Sequence, residues 1–263
     1  MCIVPPAVVI ASAKPYPGRP LLCRKCTCDI LSYDGRPVKT TAFIHPQCLA
    51  CPARQDDSAG ETARRRCAVG KVVAALSMSL DGFVADEYDS VAPLFGWYQN
   101  GDVEVPSADP RWTFHMTEAS ARFLRRALTE CGALICGRRL FDRTDGWGGR
   151  HPLGCPVFVV SHSIPAGWPR GGSATTFYPD PMAALDAARA EAGDRIVGVS
   201  TPTLTRLYLD AGLLDELTVS LVPVLLGEGV GFFDTLTVAP IHLSDPQIIA
   251  GSGVTHLTYQ VMR

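Results

Sequence analysis

A glycine followed by two arginines is the feature of this sequence with the clearest chemical meaning. Gly137 comes directly after the short apolar segment Ala133 to Cys136, and Arg138 and Arg139 open the next segment. Glycine lets the backbone approach a ligand closely, and guanidinium groups bind phosphate through paired hydrogen bonds at any working pH. The pattern indicates a site for a pyrophosphate or a 2′-phosphate. A solvated helix start with two ordinary surface arginines is the alternative interpretation.

Three other polar turns follow apolar segments in the same way. They are Ser77 to Gly82, Ser161-His162-Ser163 and Gly198 to Thr201. In an open α/β sheet the ligand lies at the carboxyl ends of the strands, where turns and helix N-termini supply backbone donors. The side chains of Ser161, His162 and Ser163 suit a second phosphate or ribose hydroxyls, although such a turn also occurs without a ligand.

Asp81 is the first candidate for donating a proton. It follows a strand end at the predicted cleft, and burial there would raise the pKa of its carboxyl group toward the range of a proton donor. His115, Glu118 and Asp145 are less well placed. In the alternative interpretation, Asp81 and Gly82 form only a turn in which the aspartate caps its own backbone.

Several aromatic residues lie in a stretch without a readable pattern before residue 113. Trp112 is the candidate for stacking against a flat substrate ring, together with Tyr88, Phe95, Trp97 and Tyr98. Core or lid residues are the alternative interpretation of the same side chains.

Cysteines are concentrated at the start of the chain, where seven of the ten lie within the first 67 residues. Cys23 and Cys26 form one Cys-x-x-Cys pair, and Cys48 and Cys51 form a second at close to zinc-ribbon spacing. These four residues are candidate ligands of a structural zinc ion. The segment is also rich in proline and lacks periodicity, so an unstructured extension, or an over-extended reading of the gene, is the alternative.

The remaining sequence alternates strand-like and helix-like segments. The predicted strands are Lys71 to Met78, Ala133 to Cys136, Pro156 to Val160, Arg195 to Val199, Asp215 to Leu226, Ile241 to Leu243 continuing near Ile248, and Val254 to Val261. The predicted helices follow Thr117 as N-cap, start at Gly137, cover Met182 to Ala192, and run from Pro202 to Gly212. This order predicts an α/β fold with a largely parallel sheet, flanked by helices, and antiparallel strands at one edge.

Composition and charge bound the class of protein. The chain has 263 residues, 47% of them hydrophobic and 19% charged, and a net charge of −2. This balance suits a soluble globule and excludes a strongly basic nucleic-acid binder. No apolar run approaches the roughly 18 residues of a membrane span. We therefore expect a cytoplasmic protein with neither nucleic acid nor membrane as partner, divided into a Cys-rich extension, 1–69, and a second domain, 70–263.

Three blocks of the second domain are more specific. They are Ser79 to Gly82, the junction of Gly137 with Arg138, and Leu209 to Leu217 leading into Val222 to Gly227. Together they resemble the dihydrofolate-reductase-like proteins, of which the C-terminal reductase domain of the bifunctional riboflavin-biosynthesis deaminase/reductase is the most similar branch. The resemblance covers about residues 70–263. The His-x-Glu and Pro-Cys-x-x-Cys signatures of the deaminase half are absent from the sequence.

The resemblance implies a mixed sheet of about eight strands, a homodimer, and NADPH-dependent hydride transfer to a small heterocycle. The implied substrate is a ribosylaminopyrimidine, 5-amino-6-(5-phosphoribosylamino)uracil. Carried over by position, the cofactor-binding residues are Gly137, Arg138 and Arg139 at the phosphates, Ser161, His162 and Ser163 at the 2′-phosphate, and Ser200 and Thr201, with Gly198, at a second phosphate loop. The substrate side is implied at Ser79, Asp81 and Gly82.

Two departures from the family pattern keep other functions open. Leu140 stands where dihydrofolate reductases have a phosphate-binding threonine, and Ser200-Thr201 stands where the family often has Gly-Gly. One alternative is therefore a non-catalytic nucleotide-binding protein of the same fold. The other is a zinc-bearing interaction protein acting through residues 23–51.

Overall fold

A computed structural model describes residues 70–263. The predicted zinc ligands Cys23, Cys26, Cys48 and Cys51, and with them the interaction role of residues 23–51, lie outside the described residues. The strands of the described part are β1 Val72–Ser79, β2 Phe83–Ala85, β3 Val103–Pro106, β4 Thr113–Met116, β5 Cys131–Gly137, β6 Val157–Val160, β7 Thr175–Tyr178, β8 Ile196–Val199, β9 Glu216–Val222, β10 Val230–Gly231, β11 Gln247–Gly251 and β12 Val254–Gln260. The α-helices are α1 Glu118–Glu130, α2 Arg138–Arg143, α3 Pro181–Ala192 and α4 Pro202–Asp210.

Eight of these strands form the central sheet, in the order β11-β12-β9-β1-β8-β5-β6-β7. The strands from β9 to β7 are all parallel to their neighbours. At the other edge, β12 runs antiparallel to β9, and β11 runs antiparallel to β12. The predicted fold class, a mostly parallel sheet of about eight strands with antiparallel strands at one edge, is confirmed.

The helices begin where local chemistry favours a start. The Oγ1 of Thr117 accepts a hydrogen bond from the backbone N–H of Ser120 at 3.4 Å, which confirms Thr117 as the N-cap of α1. Asp180 caps α3 by accepting from the N–H groups of Met182 and Ala183. The helix α4 starts at Pro202, as predicted, but its N-cap residue makes no side-chain capping bond.

One face of the sheet is closed by α3 and α4. Alternate residues of β1, among them Ala74 and Leu76, pack there with Leu185 of α3 and Tyr208 of α4 in the largest apolar core. The helix α1 lies on the other face but packs mainly on β11 at the sheet edge and on β3. The middle of that face is left uncovered by α1, so Ala75 of the central strand β1 stays exposed.

The structure corrects several predicted elements. The long strand predicted over Asp215 to Leu226 ends at Val222, because Pro223 has no N–H and the N–H groups of Leu226 and Gly227 turn to a side chain instead. The predicted strand Ile241 to Leu243 is only an isolated bridge at Leu243. Five short strands, β2, β3, β4, β7 and β10, were not predicted. No helix within residues 70–263 has the length and apolar character needed to cross a bilayer.

Candidate functional site

Two of the predicted phosphate-binding residues face each other across neighbouring strand ends. The strands β5 and β8 are parallel neighbours, so Gly137 at the end of β5 and Thr201 just after β8 lie at the same edge of the sheet. A Cβ atom placed on Gly137 would lie 3.8 Å from Cγ2 and 3.9 Å from Oγ1 of Thr201. The absence of that Cβ leaves space between the two residues.

The hydroxyl of Thr201 is a buried polar group without a partner. Thr201 is 3% exposed, and its Oγ1 makes no hydrogen bond within the described chain. Leaving such a group unpaired costs about 1–3 kcal/mol. The same residue precedes the uncapped N-terminus of α4, where free backbone N–H groups favour an anion. A phosphate group bound there would satisfy both.

Arg138 joins this region to the serine turn, as the parallel-strand rule predicts. Its Nη1 donates to the backbone oxygen of Ser163 at 3.0 Å, to Ser163 Oγ at 3.1 Å and to Ser161 Oγ at 3.4 Å. Its Nε donates to Asp142, one helical turn away, at 2.7 Å. His162, between the two serines, is exposed. The structure thus brings Arg138, Ser161 and Ser163 together beside the end of β5.

Arg139 points elsewhere. Its guanidinium pairs with the carboxylate of Asp89, whose side chain is only 9% exposed and which also accepts from Arg143 Nη2 at 3.0 Å. The two adjacent arginines therefore diverge, because their side chains leave the start of α2 in different directions. The predicted contact of Arg139 with a cofactor phosphate finds no support in this geometry.

Asp81 differs from the prediction in its environment. It is exposed, and its carboxylate accepts hydrogen bonds from Ser79 Oγ at 2.5 Å, from the N–H of Leu226 at 3.0 Å and from the N–H of Gly227 at 2.7 Å. The bond from Ser79, followed by the two backbone bonds, lowers the pKa of Asp81. The expected rise in pKa is wrong, because this carboxylate is hydrogen-bonded at the surface instead of buried in a cleft.

Ser79 and Gly82 belong to the same turn. Ser79 is fully buried, and its Oγ also accepts from the N–H of Phe83 at 2.9 Å. Gly82 adopts φ +92°, a conformation that favours glycine. Neither residue, nor Asp81, lines the large cavity described next. The turn interpretation accounts for all three positions.

A cavity of about 590 Å³ lies between the sheet and α1. Its floor is the uncovered face of the sheet, and Gly198 and Ser200 line it beside Thr201. Aromatic residues form one wall, and this set, which includes the predicted Trp112, is Phe95, Trp97, Tyr98, Trp112 and Phe114. Three further lining residues, Trp147, His151 and Leu153, come from the segment after α2. The phosphate-binding candidates therefore lie at the edge of a space large enough for a ring-bearing ligand.

Polar side chains of the cavity floor are held in a network around His256. This residue is 1% exposed, with Nε2 3.1 Å from Ser120 Oγ and Nδ1 2.9 Å from Ser220 Oγ. Burial lowers the pKa of His256 to about 4, so the ring is neutral at pH 7. Nearby, Trp97 Nε1 donates to Ser77 Oγ at 3.2 Å. The network ties α1 to the sheet beside the cavity.

The wall that carries Trp147 is built from left-handed backbone. Residues 145–149 all have positive φ, with Trp147 at 52°. Arg111 donates from Nη2 to the backbone oxygen of Trp147 at 2.7 Å and is itself paired with the buried carboxylate of Asp109. Strained conformations of this kind persist where neighbouring groups hold them. Three glycines lie next to Trp147 in the sequence, and they are the local signal for this left-handed turn, which was not predicted.

The chain is similar to a known protein family and to several solved structures. The model of the RibD C-terminal domain family matches residues 70–256. A candidate riboflavin biosynthesis protein from Shewanella sp. PV-4 matches at 19% identity, over 73% of this chain and 99% of its own, with a TM-score of 0.55. Acinetobacter baumannii RibD, form 2, matches at 13% identity over 74% of this chain, with a TM-score of 0.50.

The Acinetobacter match covers 58% of that protein's length. A dihydrofolate reductase from Enterococcus faecalis, complexed with NADP(H), matches at 13% identity over 74% of this chain and 98% of its own, with a TM-score of 0.44. No curated protein matches the chain. At these identities, the likeness to the Shewanella and Acinetobacter structures shows the fold.

Proposed function

Because the chain belongs to the RibD C-terminal domain family, we propose that it is an NADPH-dependent reductase of a small heterocycle. This family is one of oxidoreductases, and its fold is that of a reductase domain associated with riboflavin biosynthesis. The observation that carries the finer proposal is the unpaired buried hydroxyl of Thr201. It lies beside Gly137 at the edge of a ring-sized cavity, where a phosphate of the cofactor would give it a partner.

The residues present fit a dinucleotide that carries a central pyrophosphate and a separate 2′-phosphate. Gly137 and Thr201 would hold the pyrophosphate, and Arg138 with Ser161 and Ser163 would hold the 2′-phosphate. The threonine expected at position 140 is replaced by a leucine that is 1% exposed in the core, so that contact is lost. The hydroxyl of Thr201 supplies a donor where the family often has glycine. When bound, NADPH supplies a hydride from the nicotinamide ring.

The cavity supports the other requirements of hydride transfer. Its aromatic side chains offer surfaces on which a flat ring can stack, and hydroxyl groups on its floor, including Ser77 and Ser220, offer hydrogen bonds that orient a substrate. Asp81 is not the proton donor in this proposal, because its lowered pKa keeps it ionised. The chain would orient the reactants, and the hydride chemistry belongs to the coenzyme.

The substrate and assembly are proposed through the family. We propose 5-amino-6-(5-phosphoribosylamino)uracil as the first compound to test for NADPH oxidation, and a cytoplasmic homodimer as the working form. No group of histidine, cysteine and acidic residues within residues 70–263 could hold a metal ion. The zinc ion expected at Cys23, Cys26, Cys48 and Cys51 stays a prediction, which metal analysis of the full-length protein would test.

A titration with NADPH, followed by nicotinamide fluorescence, tests the proposed function. Wild-type protein should bind saturably, and Arg138→Ala should weaken binding roughly tenfold or more, because charged hydrogen bonds to phosphate are lost. The matched control is Arg125→Ala, which removes an exposed arginine paired with Glu118 on α1. An absence of binding at millimolar NADPH would contradict the proposal.

Preference between coenzymes tests the placement of the 2′-phosphate. NADPH should bind more tightly than NADH, and Ser161→Ala should reduce the preference because Ser161 is a neighbour of Arg138. Equal affinity for both coenzymes would mean that the 2′-phosphate lies elsewhere.

A non-catalytic nucleotide-binding protein is the second candidate, favoured by Leu140 in place of the expected threonine. Saturable NADPH binding without oxidation across a panel of ribosylaminopyrimidines and other heterocycles would support it over the reductase.

A further inference from the structure

His151 occupies a fixed position in the cavity wall. Its backbone oxygen accepts from the N–H of Gly154 at 2.8 Å, and the neighbouring Pro152 oxygen accepts from the N–H of Ala108 at 2.8 Å. Its ring meets Trp147 edge to face, with 4.4 Å between ring centroids and an interplanar angle of 76°. Backbone and ring are therefore both held, and the residue lines the cavity.

The hydrogen bond made by one ring nitrogen defines the state of the other. Nδ1 of His151 accepts from the backbone N–H of Leu153 at 3.1 Å, so Nδ1 carries no proton. In a neutral imidazole the proton is then on Nε2, which becomes a donor. Burial lowers the pKa of His151 to about 3, which keeps the ring neutral at working pH.

Nε2 has no hydrogen-bond partner within residues 70–263, and it is not among their buried unpaired side-chain atoms. Within this part of the chain, Nε2–H of His151 is therefore an available donor. A donor on a residue that lines the cavity beside Trp147 gains a hydrogen bond when a ligand brings an acceptor to it. The charged residues that line the cavity lie on α1 and β9, and they are Arg122, Arg126, Glu130 and Glu216. Beside the neutral ring of His151 an uncharged acceptor needs no charge compensation.

We propose that Nε2–H of His151 donates a hydrogen bond to a carbonyl oxygen of an uncharged, flat ring bound in the cavity beside Trp147. This makes His151 a specificity-determining residue for carbonyl-bearing rings. The inference rests on the proposed function only in taking the cavity as the substrate site. The serines and threonines of the floor do not show such selectivity, since a hydroxyl both donates and accepts.

A matched pair of probes tests this donor directly. 1-Tetralone and tetralin have the same fused ring skeleton, and only 1-tetralone carries a carbonyl group. Equilibrium dialysis against the full-length protein gives the ratio of their dissociation constants. We expect His151→Phe to shift this ratio about five- to tenfold against 1-tetralone, the effect of one hydrogen bond. His151→Gln, whose side-chain amide again offers an N–H, should recover part of the preference.

The controls separate this proposal from the proposed function. NADPH titration of both variants should give dissociation constants within about twofold of wild type, since the His151 side chain makes no hydrogen bond or aromatic contact with Gly137, Arg138 or Thr201. An unchanged probe ratio in His151→Phe, or no binding of either probe to wild type, would overturn the role of His151. Failure of NADPH binding with an intact shift in the probe ratio would instead overturn the reductase and leave the carbonyl-binding site standing.

Discussion

The two faces of the central sheet are made from the same strands but have different chemistry. Along β1, Ala74 and Leu76 pack into the core beneath α3 and α4, whereas Ala75 and Ser77 line the cavity beneath α1. Side chains alternate across a strand, so one segment supplies both faces. The closed face is filled with apolar side chains, and the open face carries hydroxyls, a buried histidine and unfilled space. The first stabilises the fold, and the second is available for a ligand.

The largest expected effect contrasts truncations on the two faces. Leu185→Ala, at a residue that is 1% exposed under α3, should lower the free energy of unfolding by about 3 kcal/mol, through lost burial and a new cavity. Leu153→Ala should cost only about 1 kcal/mol, because Leu153 is partly exposed and already borders a cavity. Chemical denaturation measures both values. Equal losses would contradict the distinction between a closed and an open face.

The next effect is a pH dependence of the free energy of unfolding, caused by His256 on the open face. The pKa of His256 is about 4 in the folded protein, below the ordinary value of 6.5, so the unfolded chain binds a proton more readily. Stability contributed by this residue is complete above pH 6.5 and is lost as the pH falls toward 4. The loss is roughly 2–3 kcal/mol. Denaturation midpoints between pH 7 and pH 4 should therefore fall less steeply in His256→Gln than in wild type.

Protonation of carboxylates lowers the stability of wild type and of His256→Gln equally over this pH range. The difference between the two plots of denaturation midpoint against pH therefore reports His256 alone. Parallel curves for the variant and wild type would show that His256 does not carry the proton-linked loss.

A smaller effect is expected at Thr201, beside Gly137. A substitution there should stabilise the unliganded protein but weaken the binding of NADPH. Thr201→Val removes the unpaired buried hydroxyl and should raise the free energy of unfolding without ligand by about 1 kcal/mol. The same change should weaken NADPH binding roughly tenfold. Thr205→Val is the matched control, because the Thr205 hydroxyl already has a partner: it donates to the backbone carbonyl oxygen of Thr201 at 2.9 Å. That variant should lose stability and keep its affinity for NADPH.

The smallest expected effect concerns Asp81. General acids typically contribute 10²–10⁴-fold to a rate, whereas Asp81→Asn should change turnover less than about threefold and leave the pH profile in place. The reason is that Asp81 is ionised and hydrogen-bonded to Leu226 and Gly227, outside the cavity. A rate loss of a hundredfold, measured under substrate saturation, would return Asp81 to the role of proton donor.

The features that can be predicted from the sequence are local ones or follow from the direction of the strands. Thr117 as a cap and Pro202 as a helix start depend on a few adjacent residues. The meeting of Arg138 with Ser161 and Ser163 follows from the rule that parallel strands bring their carboxyl ends to one edge. No detailed packing is needed for either conclusion.

The surroundings of Asp81 and Arg139 could not be predicted in this way, because residues distant in sequence form them. The partners of Asp81 at positions 226 and 227, and the partner of Arg139 at position 89, are far away in sequence. Their effect on a pKa or on the direction of a guanidinium exists only once the chain is folded. The left-handed turn at Trp147 likewise depends on Arg111 and Asp109 to hold it.

The sequence by itself determined the order of elements, the mostly parallel sheet, and the position of Gly137 and Arg138 at the carboxyl end of a strand. Hydrophobic periodicity, caps and strand direction are properties of short segments, which is why they could be read directly. Only the tertiary structure decided that α1 stays at the sheet edge, leaving a cavity in which His151 lies beside Trp147. Cavities and buried donors arise from packing between elements, and no single segment of the chain encodes that packing.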